Sequence, residues 1–254
     1  MGSSEFEGPR TAIVTGGARR IGAAICRALT ANGWHLLIHC NRSEGEAEAL
    51  AAELGNARVA RAELADPDAA ETIMAALDGL PPARLLVNNA SRFVHDGAAD
   101  FTVEQWNAHL DINLRAPALL SQAFANRADG GGLIVNLLDA KLAAPNPDFF
   151  TYTVSKFGLA GLTELCARAF AAQGIRVCGI APSVTLVSGP QSRDNFEQVH
   201  GLNALRRGVR VEEIVAALRF LLATPTITGQ TITLDGGQRF LGLPRDVQFL
   251  ETDR

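Results

Sequence analysis

The sequence predicts an α/β domain: a doubly wound parallel sheet of about seven strands with helices on both faces. Three observations carry that expectation. Short apolar runs alternate with helical patterns along the chain, the mark of strand–helix–strand units. A glycine-rich turn, Thr15-Gly-Gly-Ala-Arg-Arg-Ile-Gly22, follows the first apolar run directly and opens a helix. The fourth run, residues 83–89, has the apolar centre Leu85-Leu-Val87, as a strand covered on both faces requires.

Each element has its own reason. Residues 11–14 form the first strand and lead through the glycine turn into a helix over 21–31. Asn32-Gly33 ends that helix, because glycine accepts the left-handed backbone found at helix C-termini. Residues 34–40 are the second strand, and a helix rich in acidic residues and alanine runs on to 54. Residues 57–62 are the third strand. Asp66-Pro67 then starts a helix, the aspartate as cap and the proline at the first position, where a missing N–H is harmless. Residues 83–89 are the fourth, central strand. Thr102-x-x-Gln105 is a capping box for the helix that follows. Residues 133–138 are the fifth strand, 152–172 a long helix and 176–181 the sixth strand. Residues 183–208 show little periodicity and read as a lid over the substrate, with Gly189-Pro190 and Gly201 as hinges. A helix over 211–223 and a strand over 230–234 close the unit. The domain plan is a disordered tail over 1–9 and one domain over 10–254, ending in a C-terminal tail over 238–254.

Composition narrows the function. The chain has 254 residues, 47% of them hydrophobic, enough for a full α/β core. Its net charge of −4 gives no electrostatic case for nucleic acid. No apolar run is long enough to span a membrane, and no signal peptide opens the chain, so the expectation is a cytoplasmic protein. Cys26, Cys40, Cys166 and Cys178 are widely spaced and read as reduced core residues. His35 and His39 share a strand face but have no third ligand nearby, so no metal is expected.

The chemistry is concentrated in Tyr152-Thr-Val-Ser-Lys156. Four residues apart on a helix, Tyr152 and Lys156 share a face, and an ammonium there is expected to lower the pKa of the phenol. That makes a proton donor usable near neutral pH. In the glycine turn, Gly16 and Gly22 permit close approach of a pyrophosphate to a helix N-terminus, flanked by Arg19, Arg20 and Ile21. An enzyme using NAD wants an acid near the end of the second strand; this chain has Asn41-Arg42-Ser43. An arginine fork and a hydroxyl fit a 2′-phosphate, so the expected cofactor is NADP(H). Arg42 as a solvated loop charge is the plainer alternative.

With the turn, Asn88-Asn-Ala90, Asn113 and Tyr152-x-x-x-Lys156 together, the chain resembles the short-chain dehydrogenase/reductase family from end to end, through Asp235-Gly-Gly237. The resemblance implies a Rossmann-type fold. It places Asn89 and Ala90 beside the cofactor and gives Asn113 the role of holding a relay water. Tyr152 becomes the proton donor, and Lys156 the residue that binds the nicotinamide ribose and tunes the tyrosine. Two positions depart from the family pattern. Arg20 stands where the turn's middle glycine belongs. Asp139, thirteen residues before Tyr152, stands where the family has a catalytic serine. Both resemble the pteridine reductase branch, including bacterial dihydromonapterin reductases. In that branch Arg20 lies between cofactor phosphates and substrate, Ser91 faces the pterin, Phe93 stacks on it, and Arg42-Ser43 clamps the 2′-phosphate. Ala181-Pro182-Ser183 is similar to its bacterial members. Phe93 could equally be a core aromatic.

An ionised carboxylate accepts hydrogen bonds and cannot donate to a ketone oxygen. A carboxyl of raised pKa at 139 suits reduction of a ring C=N bond, in which carbon takes hydride and nitrogen takes a proton. The implied function is NADPH-dependent reduction of a dihydropterin or dihydrofolate, in a homo-oligomer, tetramer or dimer. The alternatives are a reductase of a non-pterin carbonyl metabolite and a non-catalytic NADP(H)-binding sensor or scaffold.

Overall fold

The strands lie in the order β3-β2-β1-β4-β5-β6-β7, all parallel. They are β1 (Thr11–Val14), β2 (His35–Cys40), β3 (Ala57–Arg61), β4 (Ala83–Asn88), β5 (Gly132–Leu137), β6 (Ile175–Pro182) and β7 (Thr231–Leu234). A computed structural model describes residues 6, 8–189 and 191–250 of the chain. Strand order reverses between β1 and β4, so the crevice at their carboxyl ends is the place where a ligand can enter such a sheet.

Alternating strand residues face two separate cores. On one side Val14, Ile38 and Val87 pack under the helices α1 (Arg20–Thr30), α2 (Glu44–Leu54) and α8 (Val211–Ala223). On the other, Ile13, Leu37, Leu86 and Ile134 pack under α3 (Ala69–Ala75), α5 (Ala116–Arg127) and α6 (Phe150–Phe170). Phe124, 1% exposed, anchors the second layer; truncating such a ring to alanine removes about 3–5 kcal/mol. Beneath the site runs a buried polar chain. Asn88 Nδ2 donates to Asn136 Oδ1 at 2.8 Å, and Asn136 Nδ2 donates to Thr163 Oγ1 at 2.9 Å. It fixes β4, β5 and α6 relative to one another.

Most elements lie where the sequence puts them, and α8 matches residue for residue. The Thr102–Gln105 capping box opens α4 (Val103–Leu110) as expected. Three expectations change, and one turn was not foreseen. Asp66-Pro67 precedes a turn rather than a helix: α3 starts at Ala69, with Asp68 in the cap position and no side-chain cap bond. Between α4 and α5 lies a π-helical turn, Asp111–Arg115. The 183–208 stretch is not irregular throughout, because it holds α7 (Arg193–His200), capped by Ser192. The tail over 1–9 is not all loose: Phe6, 7% exposed, meets Trp34 edge-on at 6.1 Å. Its residues 1–5 and 7 lie outside the described residues, as does the expected hinge residue Pro190.

Candidate active site

The carboxyl ends of the strands frame a cleft of about 680 Å³. Gly16, Arg19, Arg20, Ile21, Asn41, Arg42, Ser43, Asn89, Ala90, Ser91, Phe93, Asp139, Tyr152, Lys156 and Pro182 all line it. Asn113 is fully buried behind it. One cleft therefore gathers every residue the sequence nominated except Asn113.

Its first end is built by the glycine turn. Gly16 has φ +60°, a left-handed conformation that suits glycine. At Gly22 a Cβ would stand 2.2 Å from the Gly16 carbonyl oxygen and 2.8 Å from Asn89 Nδ2, so no side chain fits. Asn89 Nδ2 closes the turn by donating to the carbonyls of Thr15 (2.8 Å) and Gly16 (3.1 Å). The backbone N–H groups of Asn89 and Ala90 both reach Thr15 Oγ1 at 3.0 Å. The Gly16 N–H is already engaged, donating to His39 Nδ1 at 3.2 Å; burial lowers the pKa of that histidine and keeps it an acceptor. Arg20 is strained: at φ +55° it is a side chain in the left-handed region, at the first residue of α1. Its Nη2 donates to Ser188 Oγ at 3.2 Å, joining the turn to the 183–208 segment.

Several features there fit a dinucleotide phosphate. The N-terminus of α1 has no side-chain cap, which leaves N–H groups for an anion. Ser43, in the cap position of α2, makes no side-chain cap bond, and the exposed Arg42 beside it also lines the cleft. Arg19 is shared, since its Nη1 lies 3.3 Å from Glu46 Oε1. Asn41 donates to Glu63 Oε2 at 2.6 Å.

The other end holds the acid chemistry. Tyr152, 6% exposed, donates its hydroxyl to Asp139 Oδ2 at 2.7 Å. Asp139 Oδ1 accepts from the Lys141 N–H at 2.8 Å. Lys156, 3% exposed, donates to the Leu137 carbonyl at 2.7 Å, with its Nζ 5.6 Å from the centre of the Tyr152 ring. Burial pushes the carboxyl of Asp139 up and the ammonium of Lys156 down to about 8. The phenol corrects the sequence expectation. Its pKa is raised well above the usual value, first by burial and then by the Asp139 carboxylate, and Lys156 does not offset them. The tyrosine holds its proton instead of shedding it.

Asn113 sits in the π turn and spends its side chain on protein. Its Oδ1 accepts from the Arg92 N–H (2.8 Å) and Ser91 Oγ (3.2 Å), and its Nδ2 donates to the Arg92 carbonyl and Ser155 Oγ, both at 3.0 Å. It thereby positions the strap that carries Phe93. Phe93 stacks on Phe149 with ring centres 4.2 Å apart and meets Tyr152 edge-on at 4.7 Å. It is both a packed aromatic and a wall of the cleft.

The sequence did not point to Lys141, Arg245, Asp246 or Gln191, which also line this end. They come from loops and the C-terminal tail, where no periodicity marks a side chain as inward-facing. Among the described residues no group of three or more His, Cys, Asp or Glu could hold a metal ion, and no helix is long and apolar enough to cross a membrane.

Comparison with known proteins fits this geometry. D-threitol dehydrogenase of Mycolicibacterium smegmatis is 33% identical over 240 residues, 90% of this chain and 92% of that protein. The 3-oxoacyl-[acyl-carrier-protein] reductase of Synechocystis is 30% identical over 238 residues, 90% of this chain and 96% of that one. The solved structure of FolM alternative dihydrofolate reductase 1 from Brucella canis, complexed with NADP, is 38% identical. It superposes with a TM-score of 0.87 over 91% of this chain and 94% of that chain. The Brucella suis protein of the same name, also with NADP, gives 38% identity and 0.86. These neighbours match the branch suggested by Arg20 and Asp139. A short chain dehydrogenase family model matches residues 10–198, and with these likenesses over nearly its whole length the chain belongs to that family and is an oxidoreductase.

Proposed function

We propose that the protein is an NADPH-dependent reductase of a dihydropterin, with dihydrofolate as a further substrate. The observation that carries this reading is the Tyr152–Asp139 hydrogen bond of 2.7 Å. At a position where plain carbonyl reduction calls for a hydroxyl donor, the chain places a carboxyl of raised pKa against the phenol. Such a pair can hold and pass a proton as a unit. The glycine turn would hold the pyrophosphate and Arg42, Ser43 and Arg19 the 2′-phosphate of NADPH, which when bound would supply the hydride. Tyr152 would deliver its proton to a ring nitrogen, and Asp139, in its protonated form, would pass its own proton to the tyrosinate and take a new one from solvent. Lys156 orients the ribose and Asn113 holds the Ser91–Phe93 strap in place. Phe93 offers a flat apolar surface to the pterin, beside Ser91 and Arg20. Residues 183–208 act as the lid. The names of the NADP-complexed neighbours support the cofactor and the substrate class.

The test is loss of reduced-nicotinamide absorbance with dihydrobiopterin, dihydromonapterin or dihydrofolate, beside the Asp139→Ser variant. Turnover of a pterin that is lost in the variant supports the reading. Pterin-independent carbonyl reduction that the variant keeps or gains supports the second reading, a carbonyl reductase, which the names of the curated relatives favour. A cytoplasmic homo-oligomer, tetramer or dimer, is part of the proposal. Phe157, Leu165 and Phe220, exposed by 46%, 67% and 51%, are the apolar surface a second copy would cover.

A further inference from the structure

We propose that the C-terminal segment 245–249 is a working part of the active site. In this proposal Arg245 and Asp148 form a positioning clamp. It holds the loop 139–149 in the shape that pairs Asp139 with Tyr152 and stacks Phe149 on Phe93. The proposal rests on Asp139 and Tyr152 being the proton-donating pair.

The loop needs such a clamp. It begins at Asp139 and ends three residues before Tyr152, so its shape sets the distance between the two groups. Its regular structure is a single 3₁₀ turn, Ala140–Ala143. The tail supplies three holds beyond that turn. Arg245 grips Asp148 with a fork, Nε to Oδ2 at 3.0 Å and Nη2 to Oδ1 at 2.8 Å, and the Asp246 N–H reaches Asp148 Oδ2 at 2.7 Å. Lys141, in the turn itself, donates its Nζ to the Asp148 carbonyl within the loop, and the tail holds that ammonium with Asp246 Oδ2 at 3.5 Å. Phe249 stacks on Phe149 at 5.8 Å, and His95 meets both rings edge-on.

Two features show that these holds bear on geometry. The Asp148 side chain is 8% exposed, and a covered carboxylate persists only when paired. The Arg245 guanidinium keeps its carboxyl below the usual carboxylate range. Phe149 is 1% exposed at φ +52°. A side chain stays in that strained region only where its surroundings over-determine it, and here Phe93, Phe249 and the Asp148 clamp do so. Phe149 caps α6, three residues from Tyr152, so relaxation of this backbone moves the phenol directly. The titratable and charged groups around the pair are Lys141, Lys156, Asp148, Asp246 and Arg245, with His95 3.8 Å from Asp148 and the buried His109, edge-on to the Tyr152 ring at 6.2 Å, itself 3.8 Å from Asp96.

The chain has one tyrosine, so phenolate ultraviolet absorbance reports Tyr152 alone, with no substrate present. The test compares the full-length wild type with Arg245→Ala and Arg245→Lys. It reads kcat and KM for the pterin, NADPH affinity by nicotinamide fluorescence, thermal melting, and the pH at which phenolate forms while circular dichroism is unchanged. For Arg245→Ala the expected result is a fall in kcat of at least about tenfold, as misplacement of a reacting group produces. NADPH affinity stays within about twofold, because Gly16, Arg42 and Ser43 lie at the other end of the cleft. Phenolate forms at a lower pH as the loosened loop lets water reach the hydroxyl. Arg245→Lys restores only part, because an ammonium cannot make the fork. Unchanged kcat and an unchanged tyrosine titration overturn the proposal. Parallel losses of kcat, NADPH affinity and melting temperature also overturn it, since they describe a structural staple. If Arg245→Ala does not fold, Asp148→Asn takes its place, because it breaks the fork and keeps Asp246, whose charge acts on the phenol directly: earlier phenolate formation is expected, and an unchanged titration refutes the clamp. If the wild type reduces no pterin, the substrate reading fails, while the tyrosine titration still decides the clamp.

Discussion

Replacing Arg20 by glycine is expected to make the ligand-free protein more stable and the enzyme worse. Arg20 holds a left-handed backbone, φ +55°, at the first residue of α1. That conformation costs a residue with a Cβ about 1–2 kcal/mol. A cation at a helix N-terminus costs about 0.3–1 kcal/mol more. Against this, glycine carries about 0.5–1 kcal/mol of extra chain entropy in the unfolded state. The exposed bond from Nη2 to Ser188 Oγ, 3.2 Å long, contributes at the low end of about 0.5–1.5 kcal/mol. The balance is about 1 kcal/mol in favour of glycine, a rise of about 2–4 °C in melting temperature for a chain of this size. Binding moves the other way. A guanidinium that meets an anionic phosphate contributes about 1.5–3 kcal/mol, so NADPH affinity falls about tenfold to a hundredfold. Arg20→Ala separates the two effects, because alanine loses the arm and keeps the strain. The assays are thermal melts without ligand and nicotinamide fluorescence titrations of all three proteins. If Arg20→Gly melts lower than wild type, or no higher than Arg20→Ala, the strain argument is wrong. If it melts higher and binds NADPH unchanged, Arg20 does not serve the cofactor.

Three further outcomes follow from the same geometry. Asp139→Asn should cut kcat by about 10²-fold or more while raising stability at alkaline pH. Burial raises the folded pKa of Asp139, so its contribution is full below the ordinary carboxylate range and is lost as pH climbs through the folded value. Melts across pH should show the variant ahead at pH above that value and the gap closing toward acid. Arg42→Ala should shrink the preference for NADPH over NADH by about tenfold to a hundredfold, a loss of about 1.5–3 kcal/mol, measured as the ratio of kcat/KM values. Gly22→Ala forces a Cβ to within 2.2 Å of the Gly16 carbonyl oxygen. It should destabilise the protein by at least about 1–3 kcal/mol in urea melts and abolish NADPH binding.

The sheet and its cofactor turn were legible because their signals are local. β4 shows its apolar centre, Gly22 its lack of a side chain, and α8 its apolar stripe, and each lies where the pattern put it. α7 was not legible, because it buries only Val199 and so has no apolar periodicity to read. The Tyr152–Lys156 spacing was read correctly as a shared helix face, but spacing carries no information about desolvation. Burial and Asp139 reverse the expected shift of the phenol. Arg245 and Asp246 were invisible for another reason. They meet Asp148 and Lys141 across about a hundred residues of chain, by side-chain forks that leave no repeat.

The π turn at Asp111–Arg115 is a helix that has accepted one residue more than its hydrogen-bond ladder can use. Its buried residue is Asn113. Removing Asp111 or Ile112 would let the ladder close into an unbroken α-helix from α4 into α5. The asparagine would then swing by roughly 100° about the axis, away from Ser91, Arg92 and Ser155. The shortest change to this stretch of sequence would thus make a more regular helix and unfasten the strap that carries Phe93. Insertions and deletions here should therefore be read as changes to the catalytic pocket, even though no residue of the turn touches the cleft.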